Sequence, residues 1–211
     1  MSTQGNRTSD PGVEILSAEP RFPSSEVGPY RRADYRRLPE ELRCELISGC
    51  FYRLPSPRPL HQIVVAVLWR FLDDIALANG GQAIVAPVGI TLAKDTVVEP
   101  DVVYLSRRLS PAEVHGGLKG IPDLVIEVVS PSTSRRDRVM KRALFAAAGV
   151  PEYWIVDPRS HIIETLVRRD GGFTSVLAAG AGGAIRRSAR LPEIALDTRQ
   201  LWRQVDLRLA P

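Results

Sequence analysis

The sequence predicts an α/β domain with a central mixed β-sheet flanked by helices, and three features support this. Apolar residues recur at helical spacing from Leu60 to Ala78, which predicts a long amphipathic helix ended by Asn79-Gly80-Gly81. Asp123 to Val129 is a nearly continuous apolar run, typical of a strand that is covered on both faces of a sheet. Strand patterns precede and follow the helical ones, so we expect helices and sheet to share one core.

The other predicted elements flank these two along the chain. They are a short helix after Pro39, a hairpin of CELI and CFYRL about Ser48-Gly49, strands at Gln82–Ala86, Val88–Leu92 and Val102–Leu105, a polar loop from Arg107 to Gly120, a helix from Arg135 to Ala148 capped by Ser134, a strand at Glu152–Val156, a hairpin of Ile162–Arg168 and Phe173–Leu177, and a final strand and helix around Leu201. Trp154 has apolar neighbours in its strand, so we favour core packing over base stacking for it.

Length and composition favour one globular domain at residues 30–211, preceded by a disordered tail at residues 1–29. The 211 residues are 44% hydrophobic, which suffices to close a core without disulfides or a structural metal. No apolar signal segment or membrane-spanning run is present, so we expect a cytoplasmic protein with no membrane partner. Cys44 and Cys50 lack the spacing of a zinc site, although they could face each other across the hairpin.

The charge of the chain permits nucleic-acid binding but does not require it. The formal net charge is +4 and the sequence pI is near 9.4. Arginines occur in clusters, and one of these spans Arg135 to Arg142. A guanidinium group can hold a phosphate through two parallel hydrogen bonds. For any single cluster, however, a solvated surface is the favoured interpretation.

Glu127 is the anomaly that indicates chemistry, because it interrupts the most apolar strand of the sequence. An ionised carboxylate in such a strand costs much free energy unless a cation meets it. Perturbed buried carboxylates often mark functional sites. The alternatives are that the end of the strand protrudes into solvent, or that an arginine pairs with Glu127.

A second carboxylate and a lysine are placed to accompany Glu127. Asp101 follows Pro100 and opens the strand Val102–Leu105, although a Pro-Asp pair is also common in ordinary turns. Lys141 lies on the helix that follows the Glu127 strand, on one face with Asp137. The alternative for Lys141 is a surface ion pair with Asp137.

Two carboxylates and a lysine suit the hydrolysis of phosphodiester bonds. Carboxylate oxygens bind Mg²⁺, which retains waters and accepts phosphate oxygens, and Mn²⁺ could substitute for it. A metal of this kind polarises phosphorus and lowers the pKa of a bound water. A nearby lysine can orient that water or neutralise charge that develops on the phosphorane.

Four stretches, taken in order and spacing, resemble the bacterial Uma-two family of restriction-endonuclease-like proteins in the PD-(D/E)XK nuclease superfamily. They are CELISGCFYRLPSPRPLHQ, VEPDVVYL, GIPDLVIEVVSPST and DRVMKRALFAAAGVPEYWIVDP. The resemblance covers about Tyr35 to Phe173 and is most specific from Pro122 to Pro158. It implies a restriction-endonuclease-like core and a Mg²⁺-dependent nuclease site.

The resemblance also implies roles for individual residues. The aspartate of the PD element falls on Asp101 and the glutamate of the E-x-K element on Glu127, and these two are the implied metal ligands. The lysine position of that element is Val129 here, a departure from the superfamily pattern, and the family supplies its lysine from the following helix at Lys141. Glu45 matches an early glutamate of the family and could bind metal or water, but a solvent-facing strand residue is equally open.

Three further residues are possible supporting members of the site. His61 and Gln62 match the family's HQ pair at the start of the long helix, where they could touch a phosphate or shape the cleft. For His61 we favour helix capping or packing. We expect Asp137 to cap its helix and position Lys141 rather than to bind metal.

We therefore expect a metal-dependent endonuclease that acts on DNA as a homodimer, since cleavage of both duplex strands by a one-site domain needs two copies. The alternative is a catalytically inactive module on the same fold, which binds nucleic acid or a protein partner. Salt-dependent retention on DNA without cleavage would indicate such a nucleic-acid-binding module.

Overall fold

The computed structural model describes residues 15–16, 28–39, 42–118, 120–179 and 185–209. Its helices are α1 (Arg32–Tyr35), α2 (Pro59–Ala78), α3 (Pro111–Gly116), a π-helical segment (Arg136–Lys141) that leads directly into α4 (Arg142–Ala148), and α5 (Thr198–Leu209). Its strands are β1 (Ile15–Leu16), β2 (Cys44–Ile47), β3 (Cys50–Arg53), β4 (Gln82–Val85), β5 (Ile90–Ala93), β6 (Thr96–Val98), β7 (Val102–Leu105), β8 (Leu124–Val128), β9 (Glu152–Asp157), β10 (Ile162–Arg169), β11 (Gly172–Ala179), β12 (Ile185–Arg187) and β13 (Ala195–Asp197).

Two sheets organise the described part of the chain. The central sheet has six strands in the order β11-β10-β9-β8-β7-β4, and it is mixed because β8 and β9 are parallel while the other neighbours are antiparallel. A second sheet has the order β1-β3-β2-β6-β5, and β12 pairs with β13 separately. The predicted α/β class with a mixed central sheet flanked by helices is confirmed.

Strand β8 lies inside the central sheet and separates two hydrophobic cores. Leu124 and Ile126 belong to the core that α2 and α5 close on one face. Val125 and Val129 point the other way and pack with Met140 of the π-helical segment. The continuous apolar run of the sequence therefore reflects burial on both faces, as predicted.

The short helix predicted after Pro39 is wrong, because the helix of this region lies before that residue. The Asp34 carboxylate accepts a 2.8 Å hydrogen bond from the Arg31 N–H and so closes the first turn of α1. Residues 40–41 lie outside the described part of the chain, and Arg43 leads directly into β2.

The loop predicted between Arg107 and Gly120 contains α3, which has a start signal in its sequence. The Glu113 carboxylate accepts hydrogen bonds from both the N–H and the hydroxyl of Ser110, at 3.0 and 2.8 Å. Pro111 occupies the first helical position, where its missing N–H costs nothing. Strand β6 was also not predicted, since its three residues are identified only by their pairing with β2 and β5.

The predicted cap at Ser134 is wrong as well. The Ser134 hydroxyl accepts a hydrogen bond from Arg138 Nε at 3.3 Å instead of closing the helix start. The N–H of Asp137 bonds to the Thr133 carbonyl at 3.0 Å. Residues 134–135 are already helical, so the helix begins one residue earlier than predicted and passes through the π-helical segment before α4.

The remaining predicted elements are found close to their expected positions, including the β2–β3 hairpin, α2 and the β10–β11 hairpin. Cys44 pairs with Arg53 and Cys50 with Ile47, so the two cysteines do not face each other and both are free thiols. Trp154 is fully buried, as predicted.

The tail predicted at residues 1–29 lies mostly outside the described residues, apart from Ile15–Leu16, which pairs with β3, and residues 28–29. Within the described ranges, the longest helices carry too many polar residues, or are too short, to cross a bilayer.

Candidate active site

A cleft of about 300 Å³ opens where the central sheet, the start of α2 and the π-helical segment meet. Of the predicted site residues, Asp101, Glu127, Lys141, His61, Gln62 and Asp137 line this cleft, and Glu45 does not. The cleft also takes residues from the loop after β3 and from the Ser130–Thr133 turn.

Successive side chains of β8 point to opposite faces of the sheet, and this alternation directs Glu127 towards the cleft. Its neighbours Val125 and Val129 lie on the face that packs against the π-helical segment, so the Glu127 side chain points to that same face. The residue is only 3% exposed. The alternative in which the end of the strand protrudes into water is therefore wrong.

Lys141, at the end of the π-helical segment, contacts Glu127 of β8. Its ammonium nitrogen lies 2.6 Å from Glu127 Oε1 and 2.7 Å from Glu45 Oε1. Lys141 is 3% exposed, so the alternative of a surface ion pair with Asp137 is wrong. Val129 packs in the core on the same face as Glu127, and Lys141 brings an ammonium group to that face from another backbone position.

The π-helical turn brings the functional residues of this segment to one side. Arg136, Asp137, Met140 and Lys141 are all buried, while Val139 is half exposed. Hydrogen bonds from i to i+5 widen the turn and bring residues five apart, such as Arg136 and Lys141, towards a common face. Short π-helical stretches are frequent at functional sites.

Glu45 is a fully buried residue of β2 in the second sheet. Its Oε1 accepts a 2.9 Å hydrogen bond from the Glu99 N–H in addition to the contact with Lys141. Its Oε2 lies 3.7 Å from a guanidinium nitrogen of Arg136 and has no hydrogen-bond partner among the described residues. The solvent-facing alternative for Glu45 is thus wrong.

Asp101 occupies the position before β7, next to Glu127 in the antiparallel register that pairs Val102 with Ile126. Its Oδ2 accepts a 2.8 Å hydrogen bond from the Val128 N–H and lies 3.2 Å from His61 Nε2. The other ring nitrogen of His61, Nδ1, lies 3.1 Å from Gln62 Oε1. His61 therefore contacts a site carboxylate, and the capping role is wrong because the start of α2 has no side-chain cap.

Asp137 is 3% exposed and faces the same space as Lys141. Its carboxylate accepts a hydrogen bond from the side chain of Thr133, at the start of the helix. Its backbone carbonyl accepts a 3.1 Å hydrogen bond from the Tyr153 hydroxyl, which ties the π-helical segment to β9.

Burial perturbs the ionisation of two acids of the site. Burial raises the pKa of Glu127 well above its usual range, and the charges of Asp137 and Asp101 add to this although Lys141 opposes it. Burial also raises the pKa of Asp137 to about 6, against the opposing pull of Lys141 and a hydrogen bond from Thr133. These shifts indicate that the cluster retains protons at pH values where carboxyl groups are normally ionised.

Burial by itself lowers the pKa values of Lys141 and His61, but neighbouring acids raise both of them overall. Burial alone lowers the pKa of Lys141, but Glu127 and Glu45 outweigh it and raise that pKa, so the ammonium remains charged. Burial lowers the pKa of His61, but its hydrogen bond with Asp101 outweighs this and leaves the pKa above 6.5.

The chemistry of the donor set fits a divalent cation. Asp101, Glu127 and Asp137 bring hard carboxylate oxygens to the cleft, and a divalent ion would offset the burial and the mutual repulsion that raise the pKa values of Glu127 and Asp137. No group of three or more His, Cys, Asp or Glu side chains is preassembled with ligand spacing anywhere in the described ranges. The Lys141 ammonium lies against Glu127 in this arrangement.

Three arginines of the cleft, Arg43, Arg58 and Arg136, were not predicted as site residues from the sequence. Arg136 is 7% exposed, so the solvated-surface interpretation of its cluster is wrong for this residue. Arg43 also lines the cleft, and one of its guanidinium nitrogens lies 3.5 Å from Glu99 Oε2. Runs of arginine carry no periodicity that would distinguish an inward-facing member from its exposed neighbours.

A second buried glutamate, Glu152, has a structural role away from the cleft. Its Oε1 accepts a 2.6 Å hydrogen bond from the Trp154 indole. Its Oε2 accepts hydrogen bonds from the Ser188 hydroxyl and from the N–H groups of Ala189 and Arg190, at 2.7, 3.0 and 3.1 Å. Four donors satisfy this carboxylate, so Glu152 needs no cation, in contrast to Glu127.

Comparisons with known proteins agree with the fold. A model of the Uma2 family, described as "Putative restriction endonuclease", matches residues 32–199. A crystal structure titled as a "putative nuclease belonging to DUF820" from Anabaena variabilis ATCC 29413 superimposes with a TM-score of 0.70. The identity is 18%, and the match covers 84% of this chain and 99% of that chain, so it is evidence of a shared fold. A search of curated proteins gave no match. The family match spans most of the chain, and the protein belongs to the Uma2 family.

Proposed function

We propose that this protein is a Mg²⁺-dependent endonuclease that hydrolyses phosphodiester bonds of DNA. Membership of a family described as "Putative restriction endonuclease" gives the broad class, a nuclease. One observation carries the proposal further: Asp101, Glu127 and Lys141 line a single cleft, and Lys141 contacts Glu127 at 2.6 Å.

Asp101 and Glu127 are the residues that would hold the metal. Mg²⁺ bound there would polarise a phosphodiester and lower the pKa of a water. The Val128 N–H and His61 both contact Asp101 Oδ2, which fixes the orientation of that carboxylate and leaves Oδ1 for another partner.

Lys141 supplies positive charge next to the reacting phosphate. An ammonium group has three N–H donors, and two of them point to Glu127 and Glu45. Among the described residues the ammonium has no third hydrogen-bond partner, so its remaining N–H can donate to a water or to a phosphate oxygen in the cleft. A fixed cation in a buried site stabilises developing negative charge more strongly than one in water.

The arginines of the cleft support a nucleic-acid substrate, and we propose DNA as that substrate. Arg43, Arg58 and Arg136 line the cleft, and guanidinium groups bind backbone phosphates without reading sequence. Because one site cuts one strand, we further propose that two copies associate with C2 symmetry to cut a duplex. A sedimentation run that shows only monomer at micromolar concentration would count against the dimer.

The test is nicking of supercoiled plasmid with Mg²⁺ or Mn²⁺ by the wild type, Asp101→Asn and Glu127→Gln. We expect both variants to lose activity by at least about a hundredfold, the scale seen when one charged stabilising group is removed. Asp123→Asn is the matched control, because Asp123 bonds to Ser106 and lies outside the cleft.

Equal nicking by the wild type and both site variants would contradict the proposal. DNA retention that weakens steeply with salt, without any cleavage by the wild type, would instead support a non-catalytic nucleic-acid-binding module.

A further inference from the structure

We infer that Glu45 is a positioning residue that holds the Lys141 ammonium in the cleft from behind, and that it is not a metal ligand. This inference rests on the proposed function for the role of Lys141. The contact itself is a 2.7 Å ion pair between two side chains that are each almost completely excluded from water.

The location of Glu45 separates it from the other acids of the site. Asp101, Glu127 and Asp137 line the cleft, whereas Glu45 does not and is 0% exposed. Lys141 contacts it and also lines the cleft, so the ammonium lies between Glu45 and the space a substrate would occupy.

The electrostatic surroundings of Glu45 also oppose metal binding. Its Oε1 accepts from the Glu99 N–H and from Lys141, and its Oε2 lies 3.7 Å from Arg136. Two cations therefore adjoin the carboxylate, and a divalent ion placed beside them would be repelled by both. The buried Oε2 has no hydrogen bond in the described part of the chain, so Arg136 is the charge that compensates it.

The arrangement has a consequence for the reaction. Lys141 has two carboxylate partners, Glu127 in the central sheet and Glu45 in the second sheet. If Glu127 held a metal, Glu45 would still hold the Lys141 ammonium in place at the edge of the cleft through its 2.7 Å contact. Without Glu45, Lys141 would have to compete with the metal for Glu127.

The experiment compares Glu45→Gln, Lys141→Met and the double variant, with Asp101→Asn as a ligand-loss reference. Mn²⁺ affinity is measured by the free-ion EPR signal, and kcat and KM are measured by plasmid nicking. Glu152→Gln is the matched control, since Glu152 is an equally buried strand glutamate that lies outside the cleft.

We expect Glu45→Gln to lower kcat by ~100-fold with little change in KM, a loss like that of one charged transition-state group. Its Mn²⁺ affinity should fall by less than about tenfold. A change next to a metal ligand already costs ~10-fold or more, so loss of a true ligand, as in Asp101→Asn, should cost more than that. The double variant should be no slower than Lys141→Met, because Glu45 acts through the lysine. Glu152→Gln should retain the wild-type kcat.

Two results would overturn the inference. One is a loss of Mn²⁺ affinity in Glu45→Gln as large as in Asp101→Asn, which would make Glu45 a ligand. The other is full additivity of the Glu45 and Lys141 substitutions in urea unfolding midpoints, which would show that the two side chains are not coupled. If the wild type does not nick DNA, the proposed function fails, and the unfolding and Mn²⁺ measurements still decide the role of Glu45.

Discussion

Asp137→Asn should make the protein more stable at neutral pH, although it changes a residue of the candidate active site. Asp137 is 3% exposed, and its pKa is raised from 3.8 to about 6 by burial. Because the folded state holds this proton more tightly than the unfolded chain does, the stabilisation is complete below pH 3.8 and is lost as the pH rises to about 6. The neutral amide of asparagine avoids this loss.

The magnitude follows from the separation of the two pKa values. Each pH unit between 3.8 and about 6 changes the free energy of unfolding by about 1.4 kcal/mol for one proton. The ionised carboxylate therefore costs ~3 kcal/mol at pH 7. We expect Asp137→Asn to match the wild type near pH 3.5 and to exceed it by up to that amount at pH 7.

Urea unfolding followed by circular dichroism at pH values from 3.5 to 7 is the assay. The quantity of interest is the difference in unfolding free energy between the variant and the wild type, because the other titrating groups contribute to both proteins. Asp123→Asn, outside the cleft, should not reproduce the gain. A difference for Asp137→Asn that stays constant across this pH range would refute the reasoning.

Three further substitutions test the buried interactions. Lys141→Met should lower the free energy of unfolding at pH 7 by ~3–5 kcal/mol in urea titrations, because it leaves two buried glutamates without their ammonium partner, whereas the exposed Lys94→Met should change it little. Glu152→Gln should cost ~1–3 kcal/mol in thermal unfolding, since one of its oxygens becomes an amide that cannot accept the existing N–H and O–H donors, and wild-type stability would contradict this. Gly49→Ala should cost at least ~1 kcal/mol, because Gly49 has φ +75° and a Cβ there would collide with the Gly28 carbonyl; an unchanged urea midpoint would argue against that close approach.

Local patterns were sufficient to predict the elements that carry Glu127 and Lys141. The charge of Glu127 contrasts with the apolar strand around it, and the helix after that strand presents Lys141 to the same space. The two residues are only 14 positions apart. A strand and the helix that directly follows it pack together, so the contact between the two side chains could be predicted from local sequence.

The role of Glu45 could not be predicted in this way, because it depends on pairings between distant parts of the chain. Strand β2 is buried by pairing Leu46 with Val97 of β6, and β6 has no recognisable pattern of its own. The contact of His61 with Asp101 likewise joins the start of α2 to the start of β7. A single sequence gives no information about such contacts, and π-helical geometry has no sequence signal that we could use.

The most direct test of the account is a crystal soaked in Mn²⁺, with data collected for anomalous scattering. We expect an anomalous peak in the cleft within coordination distance of Asp101 and Glu127, with Lys141 still paired to Glu45. A peak bound by Glu45, or no peak at the two cleft carboxylates at millimolar Mn²⁺, would contradict it.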